Sequence, residues 1–137
     1  MSRDVTRKEA VLLVSRLFSI YTGEQPNYTF SDISANDDFR LMASRFVDLG
    51  ILAKQAKFRP QDTVTKGELA TMLVRASSLT PVSNPNFYTD VPETNTLRPY
   101  LNSYALQTNT SGNFYPANVL SRATTAEMLY GWAQRGK

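Results

Sequence analysis

The sequence contains neither cysteine nor histidine. The first absence excludes disulfide bonds and thiol nucleophiles, and the two together exclude the usual zinc sites and any imidazole base. Carboxylate pairs such as Asp37 with Asp38, or Asp90 with Glu93, could hydrolyse a glycoside, but nothing in their spacing singles them out. We therefore predict that the chain is not an enzyme and that it takes no cofactor and no metal.

A long apolar run and a concentrated patch of positive charge are also missing. The run "AVLLV" at 10–14 is shorter than the core of a signal peptide, and far shorter than a membrane-spanning helix. The 15 lysines and arginines are scattered along 137 residues with a net charge of +3, whereas nucleic-acid binders usually carry a basic stripe. We predict a single domain with no signal peptide, no membrane insertion and no nucleic-acid partner.

What the sequence does contain is an internal repeat. The string "YTFSDI" at 28–33 returns as "NFYTDV" at 86–91, and "KFRP" at 57–60 returns as "NFYP" at 113–116. A third element, in which an apolar residue precedes Thr or Ser and then a cation, occurs three times, at 5–7, 64–66 and 120–122. Repeats of this length indicate stacked units. We divide the chain into the second half of a first repeat (1–24), a second repeat (25–82) and a third (83–137).

The apolar residues of each repeat recur at helical spacing. After the third element come Ala10, Leu13, Val14 and Leu17; Leu69, Met72, Leu73 and Ala76; and Thr125, Met128, Leu129 and Trp132. A second stripe precedes each F-x-P string, at Phe39, Met42, Ala43, Phe46 and Val47 and at Leu97, Tyr100, Leu101, Tyr104 and Ala105. The sequence predicts an all-α chain with helices at about 6–21, 37–49, 65–79, 96–106 and 121–134. Gly23 and Gly50 stand where a left-handed residue would end a helix.

The starts of three of these helices carry capping signals. The predicted pairs are Thr6 with Glu9, Thr65 with Glu68, and Ser121 with Thr124. In the first two, the hydroxyl and the carboxylate can each accept a backbone N–H of the first turn, which makes a capping box. The third pair keeps the cap but lacks the carboxylate.

Capping does not explain the cation that follows each cap, Arg7, Lys66 and Arg122. A positive charge in the first turn faces the positive end of the helix dipole, which disfavours it. One interpretation is that the cation and the exposed N–H groups of the helix start form a small anion-binding site. The alternative is a solvated cation, or one paired with Glu9 or Glu68.

The order of these motifs resembles the S-layer homology repeat of bacterial surface proteins. The second repeat carries the resemblance best, with Phe30-Ser31-Asp32, Gly50-Ile51, Phe58-Arg59-Pro60 and Thr65-Lys66-Gly67-Glu68. The third has Thr108-Asn109 in place of Gly-Ile, and Ser121-Arg122-Ala123-Thr124 at its helix start. The resemblance implies an all-α, pseudo-threefold module at the cell surface, in which three central helices carry projecting prongs. It also implies that the module anchors a protein to the cell wall by binding wall polysaccharide, often pyruvylated, with Arg7, Lys66 and Arg122 as ligand contacts.

Two further points stay open at the level of sequence. Asp32 and Asp90 follow an aromatic residue by two positions and are either turn or cap acceptors or contacts for ligand hydroxyls. Because the first repeat is incomplete, an uncovered face of the module could instead bind another chain, so self-association and protein–protein assembly are the alternative function.

Overall fold

Five α-helices make up the framework of the chain. The computed structural model describes residues 3–135, and its helices are α1 (Arg7–Leu17), α2 (Phe39–Asp48), α3 (Lys66–Ala76), α4 (Arg98–Thr108) and α5 (Arg122–Gln134). Between them, residues 3–135 hold isolated β-bridges and no sheet. The all-α prediction is confirmed. None of these helices combines the length and apolar character needed to cross a bilayer.

The helix starts have the predicted caps. The hydroxyls of Thr6 and Thr65 accept the N–H groups of Glu9 and Glu68, whose carboxylates accept the N–H groups of the two threonines in return. Ser121 accepts only from the N–H of Thr124, as expected from the missing carboxylate. Since a cap of this kind stabilises a helix by about 1 kcal/mol, local sequence accounts for where these helices begin.

The ends of α1 and α3 lie before their predicted positions, at Leu17 and Ala76. Ser19 and Ser78 take left-handed backbone angles, with φ of 53° and 55°, and turn the chain out of each helix. The prediction that Gly23 ends the first helix is wrong, because the serine has already ended it.

A residue in the left-handed conformation follows both α2 and α4, and the sequence predicts the one after α2. Gly50 has φ of 77° just beyond α2. Asn109, with φ of 54°, takes the same role after α4, where the repeat has lost its glycine. Asparagine is the residue that most readily replaces glycine in this conformation, so the third repeat preserves the turn.

The segments that lead into α1, α3 and α5 meet in a ring of backbone hydrogen bonds. The N–H of Val5 donates to the carbonyl of Leu120 (2.8 Å), that of Leu120 to Val64 (3.3 Å), and that of Val64 back to Val5 (2.9 Å). All three residues are buried. The cycle agrees with the threefold arrangement of equivalent segments, while the repeat module as such stays a prediction.

Two segments connect the members of this ring along the chain. We call residues 25–62, which include α2, the middle prong, and residues 83–118, which include α4, the last prong. The middle prong packs α2 against α1, and the last prong packs α4 against α3 and α5. Each prong has its own aromatic cluster, formed by Phe30, Phe39 and Phe58 in one and by Tyr88, Tyr104 and Phe114 in the other.

Candidate functional site

Asp32 and Asp90 each fasten the two ends of a prong together. The carboxylate of Asp32 accepts the backbone N–H groups of Phe58 (2.8 Å) and Arg59 (2.7 Å). Asp90 accepts those of Phe114 and Tyr115 at the same distances. We call these two arrangements the aspartate latches. They favour the cap-acceptor alternative over a contact with ligand hydroxyls, because the carboxylates already bind backbone.

Each latch also holds a strained residue in place. Arg59 and Tyr115, the middle residues of the F-x-P strings, both have φ of 60°, which is unfavourable for residues other than glycine. Burial is the largest influence on the pKa of Asp32 and of Asp90 and would raise it. The backbone hydrogen bonds together outweigh burial, so the pKa of both carboxyls lies below its usual value.

The N–H groups at the starts of α1 and α3 are already occupied. Those of Arg7 and Lys8 donate to carbonyls of the middle prong, and those of Lys66 and Gly67 to carbonyls of the last prong. The expectation that these N–H groups are exposed and available to an anion is therefore wrong for both helices. It fails because the prong that covers each start lies about fifty residues away in sequence and cannot be placed by local reasoning.

The three predicted cations occupy different environments. Arg7 is paired with the carboxylate of Glu68, its Nε donates to the carbonyl of Phe58 (2.9 Å), and its guanidinium lies 5.2 Å from the Phe58 ring. Arg7 is therefore paired with Glu68 of the next repeat, one of the two partners that the alternative interpretation named.

Lys66 is the equivalent cation of the second repeat and lacks that carboxylate. Its Nζ lies 4.5 Å from the centre of the Phe114 ring, just as Arg7 lies over Phe58. Thr124 stands where Glu68 and Glu9 stand in the other copies, and within residues 3–135 Lys66 forms no salt bridge. Burial lowers the pKa of Lys66, and the charge of Asp90 only partly opposes that shift.

Arg122 is the most exposed of the three, with 58% of its side chain accessible. Its guanidinium approaches the carboxylate of Glu9 at 3.5 Å. Glu9 is also bound by Arg3 (2.6 Å), and the hydrogen bonds from Arg3 are the main reason why the pKa of Glu9 is lowered to about 2. Each cation thus faces the capping carboxylate of a neighbouring repeat, where the neighbour has one.

Restoring the missing carboxylate at position 124 should stabilise the start of α5. We expect Thr124→Glu to complete the capping box of α5 and to pair with Lys66, raising the free energy of unfolding by roughly 0.5–1 kcal/mol. Thr124→Gln is the matched control, because glutamine completes the box without the charge. Urea denaturation at pH 7 measures both variants. Equal midpoints for the two would show that position 124 does not face Lys66.

Two cavities open beside α1, α3 and α5. The first, of about 350 Å³, lies between the two prongs and includes Arg7, Glu68 and Arg75 in its lining. The second, of about 430 Å³, lies between α1 and α5 and includes Glu9 and Arg122. Of the five residues predicted as ligand contacts, Arg7 lines the first cavity and Arg122 the second. Lys66, Asp32 and Asp90 line neither, so the structure does not gather the five into one site.

One side of each cavity is lined by equivalent positions of the repeat. Val64, Glu68, Thr71, Met72 and Arg75 line the first, and Val5, Glu9, Leu12, Leu13 and Arg16 line the second. The first cavity has in addition residues 51–58 of the middle prong as a wall. The second has no prong on the corresponding side among the described residues, and the two cavities are similarly open, so the prong wall is what distinguishes the first.

Two cations of the first cavity, Lys57 and Arg75, were missed by the sequence reasoning. Arg75 lies in the last turn of its helix, where a positive charge is favourable and draws no notice. The available signal was that Arg16 occupies the same position one repeat earlier. No group of three or more carboxylates that could hold a metal occurs among residues 3–135.

Comparison with known proteins adds no family assignment, since neither a protein-family model nor a curated protein sequence matches the chain.

Proposed function

We propose that the chain anchors a bacterial surface protein non-covalently to the cell wall by binding a wall polysaccharide, as an S-layer homology module. The supporting observation is the first cavity, which lies between two prongs of equivalent construction and carries more positive than negative charge. An open cleft with convergent cations suits an extended anionic polymer better than it suits a small enclosed ligand.

Co-sedimentation with cell-wall sacculi tests this function. The sacculi come from a bacterium with a pyruvylated wall polysaccharide and are used before and after removal of the polymer from the peptidoglycan. We expect the chain to pellet with intact sacculi and to stay in the supernatant with stripped ones. An unrelated cationic protein of similar size is the control for charge alone. Equal pelleting with both preparations would overturn the proposal.

A second candidate function, self-association, has its own supporting observation. On α3 the residues Ala70 and Val74 are buried. Their equivalents on α5, Ala126 and Tyr130, are exposed, and Tyr130 is 69% accessible. Light scattering of the chain over a range of concentrations separates the candidates, because a second copy bound at this face would double the mass without any wall polymer.

A further inference from the structure

Arg7 is the one predicted ligand contact that lines the first cavity, but the cavity also contains other positive charges. Arg7, Lys57 and Arg75 line it, and Glu68 is its one carboxylate among the described residues. The lining therefore has an excess of two positive charges. Which of the three cations an anionic ligand would meet depends on the partners that each already has.

Arg7 is already committed to the protein. Its Nη1 is bound to the carboxylate of Glu68, its Nε to the carbonyl of Phe58, and only 15% of its side chain is accessible. An anion at Arg7 would have to displace Glu68 or sit beside its negative charge, and both are unfavourable. Arg7 instead ties the middle prong to α3.

Arg75 is held in position but has no acidic partner. Its Nη1 donates to the carbonyl of Ile51 in the middle prong (3.3 Å), and its guanidinium lies 4.5 Å from the ring of Tyr100 in the last prong. Within residues 3–135 neither Arg75 nor Lys57 forms a salt bridge. The remaining guanidinium nitrogens of Arg75 form no hydrogen bond with those residues.

Building on the wall-polysaccharide function proposed above, we propose that Arg75, with Lys57, binds the carboxylate of an acidic sugar, and that Arg7 is a positioning residue. A guanidinium can bind a carboxylate through two parallel hydrogen bonds. Because the guanidinium of Arg75 contacts both prongs, it loses little conformational freedom when a ligand binds. Lys57 adds a second, exposed charge at the same cavity.

The repeat explains why, of the two cavities, the first has an arginine held in position for a carboxylate. The equivalent of Arg75 is Arg16 in the first repeat and Gly131 in the third. Arg16 lines the second cavity but is exposed, with no described prong beside it to hold its guanidinium. Of the two cavities, we therefore assign the carboxylate site to the first.

The test is a titration of the ¹⁵N-labelled chain with a pyruvate-ketal monosaccharide, methyl 4,6-O-(1-carboxyethylidene)-glucopyranoside, followed by NMR. The methyl ester of the same compound is the uncharged control. We expect the acid to shift resonances around the first cavity and Arg75→Gln to weaken its binding roughly tenfold or more. Arg45→Gln removes the same charge from an exposed arginine of α2 and should leave the affinity unchanged.

Further variants separate binding from folding. Lys57 is exposed, so Lys57→Gln should keep the native spectrum and still bind the acid several-fold more weakly. Equal affinity of Arg75→Gln and the unaltered chain, or equal binding of acid and ester, would overturn the assignment. The assignment would also be overturned if the chain pelleted with intact sacculi but did not bind the acid. That result would leave the wall-anchoring function unaffected. If the unaltered chain did not pellet with intact sacculi, the result would contradict the wall-anchoring function instead.

Discussion

Trp132→Ala should lower the free energy of unfolding by about 3–5 kcal/mol. The side chain is 1% exposed, stacks on Tyr104 with ring centres 5.4 Å apart, and donates from Nε1 to the hydroxyl of Ser77 (3.0 Å). It therefore joins α5 to α4 and to the end of α3. Since domains of this size are stable by about 5–15 kcal/mol, the loss is a large part of the total.

Urea denaturation followed by far-ultraviolet circular dichroism measures this loss, because the variant has no tryptophan left for fluorescence. Tyr130→Ala is the matched control on the same helix. Tyr130 is 69% exposed, so its removal should change stability by no more than about 0.5 kcal/mol. Similar losses for the two variants would mean that α5 is not held through Trp132.

Asp32→Asn and Asp90→Asn should each destabilise the chain by about 1–3 kcal/mol at pH 7, because each replaces a carboxylate that accepts two backbone N–H groups. Asparagine keeps one accepting oxygen but turns an NH₂ group toward the second N–H. The two variants should lose similar amounts, since the latches have the same bond lengths in both prongs.

The two losses should also depend on pH. The folded-state pKa of each aspartate is depressed, so its contribution is complete above the unfolded value of about 3.9 and disappears as pH falls through the folded value. The gap between each variant and the unaltered chain should be constant from pH 7 to pH 5 and close below about pH 4. Asp38→Asn, at a fully exposed side chain, should show no comparable gap. A gap that persists in acid would contradict the latch.

The sequence was informative where structure is decided locally. The starts of α1 and α3 were predicted because Thr6 with Glu9 and Thr65 with Glu68 lie within one helical turn. The buried stripes were predicted because helical periodicity needs no knowledge of the partner.

The helix ends, hydrogen-bond partners and site residues that the sequence does not predict depend on contacts between distant segments. Ser19 takes a left-handed backbone conformation although it is not a glycine, and no local sequence signal predicts it. The carbonyls that occupy the N–H groups of α1 come from the middle prong. The sequence offers Glu9 and Glu68 as partners for the cations, but which cation pairs with which carboxylate depends on the packing of α1, α3 and α5. Arg75 lies between Ile51 and Tyr100, which come from different prongs, so its position depends on contacts that no local pattern predicts.

The ring formed by Val5, Val64 and Leu120 has a consequence for folding. Its three members come from widely separated segments, so the ring cannot close until all three segments are present together. Closing so large a loop costs more entropy than forming a local contact, so we expect this step to slow folding despite the short local helices. The latches of the two prongs close over 26 and 24 residues, so the prongs can form before the ring closes.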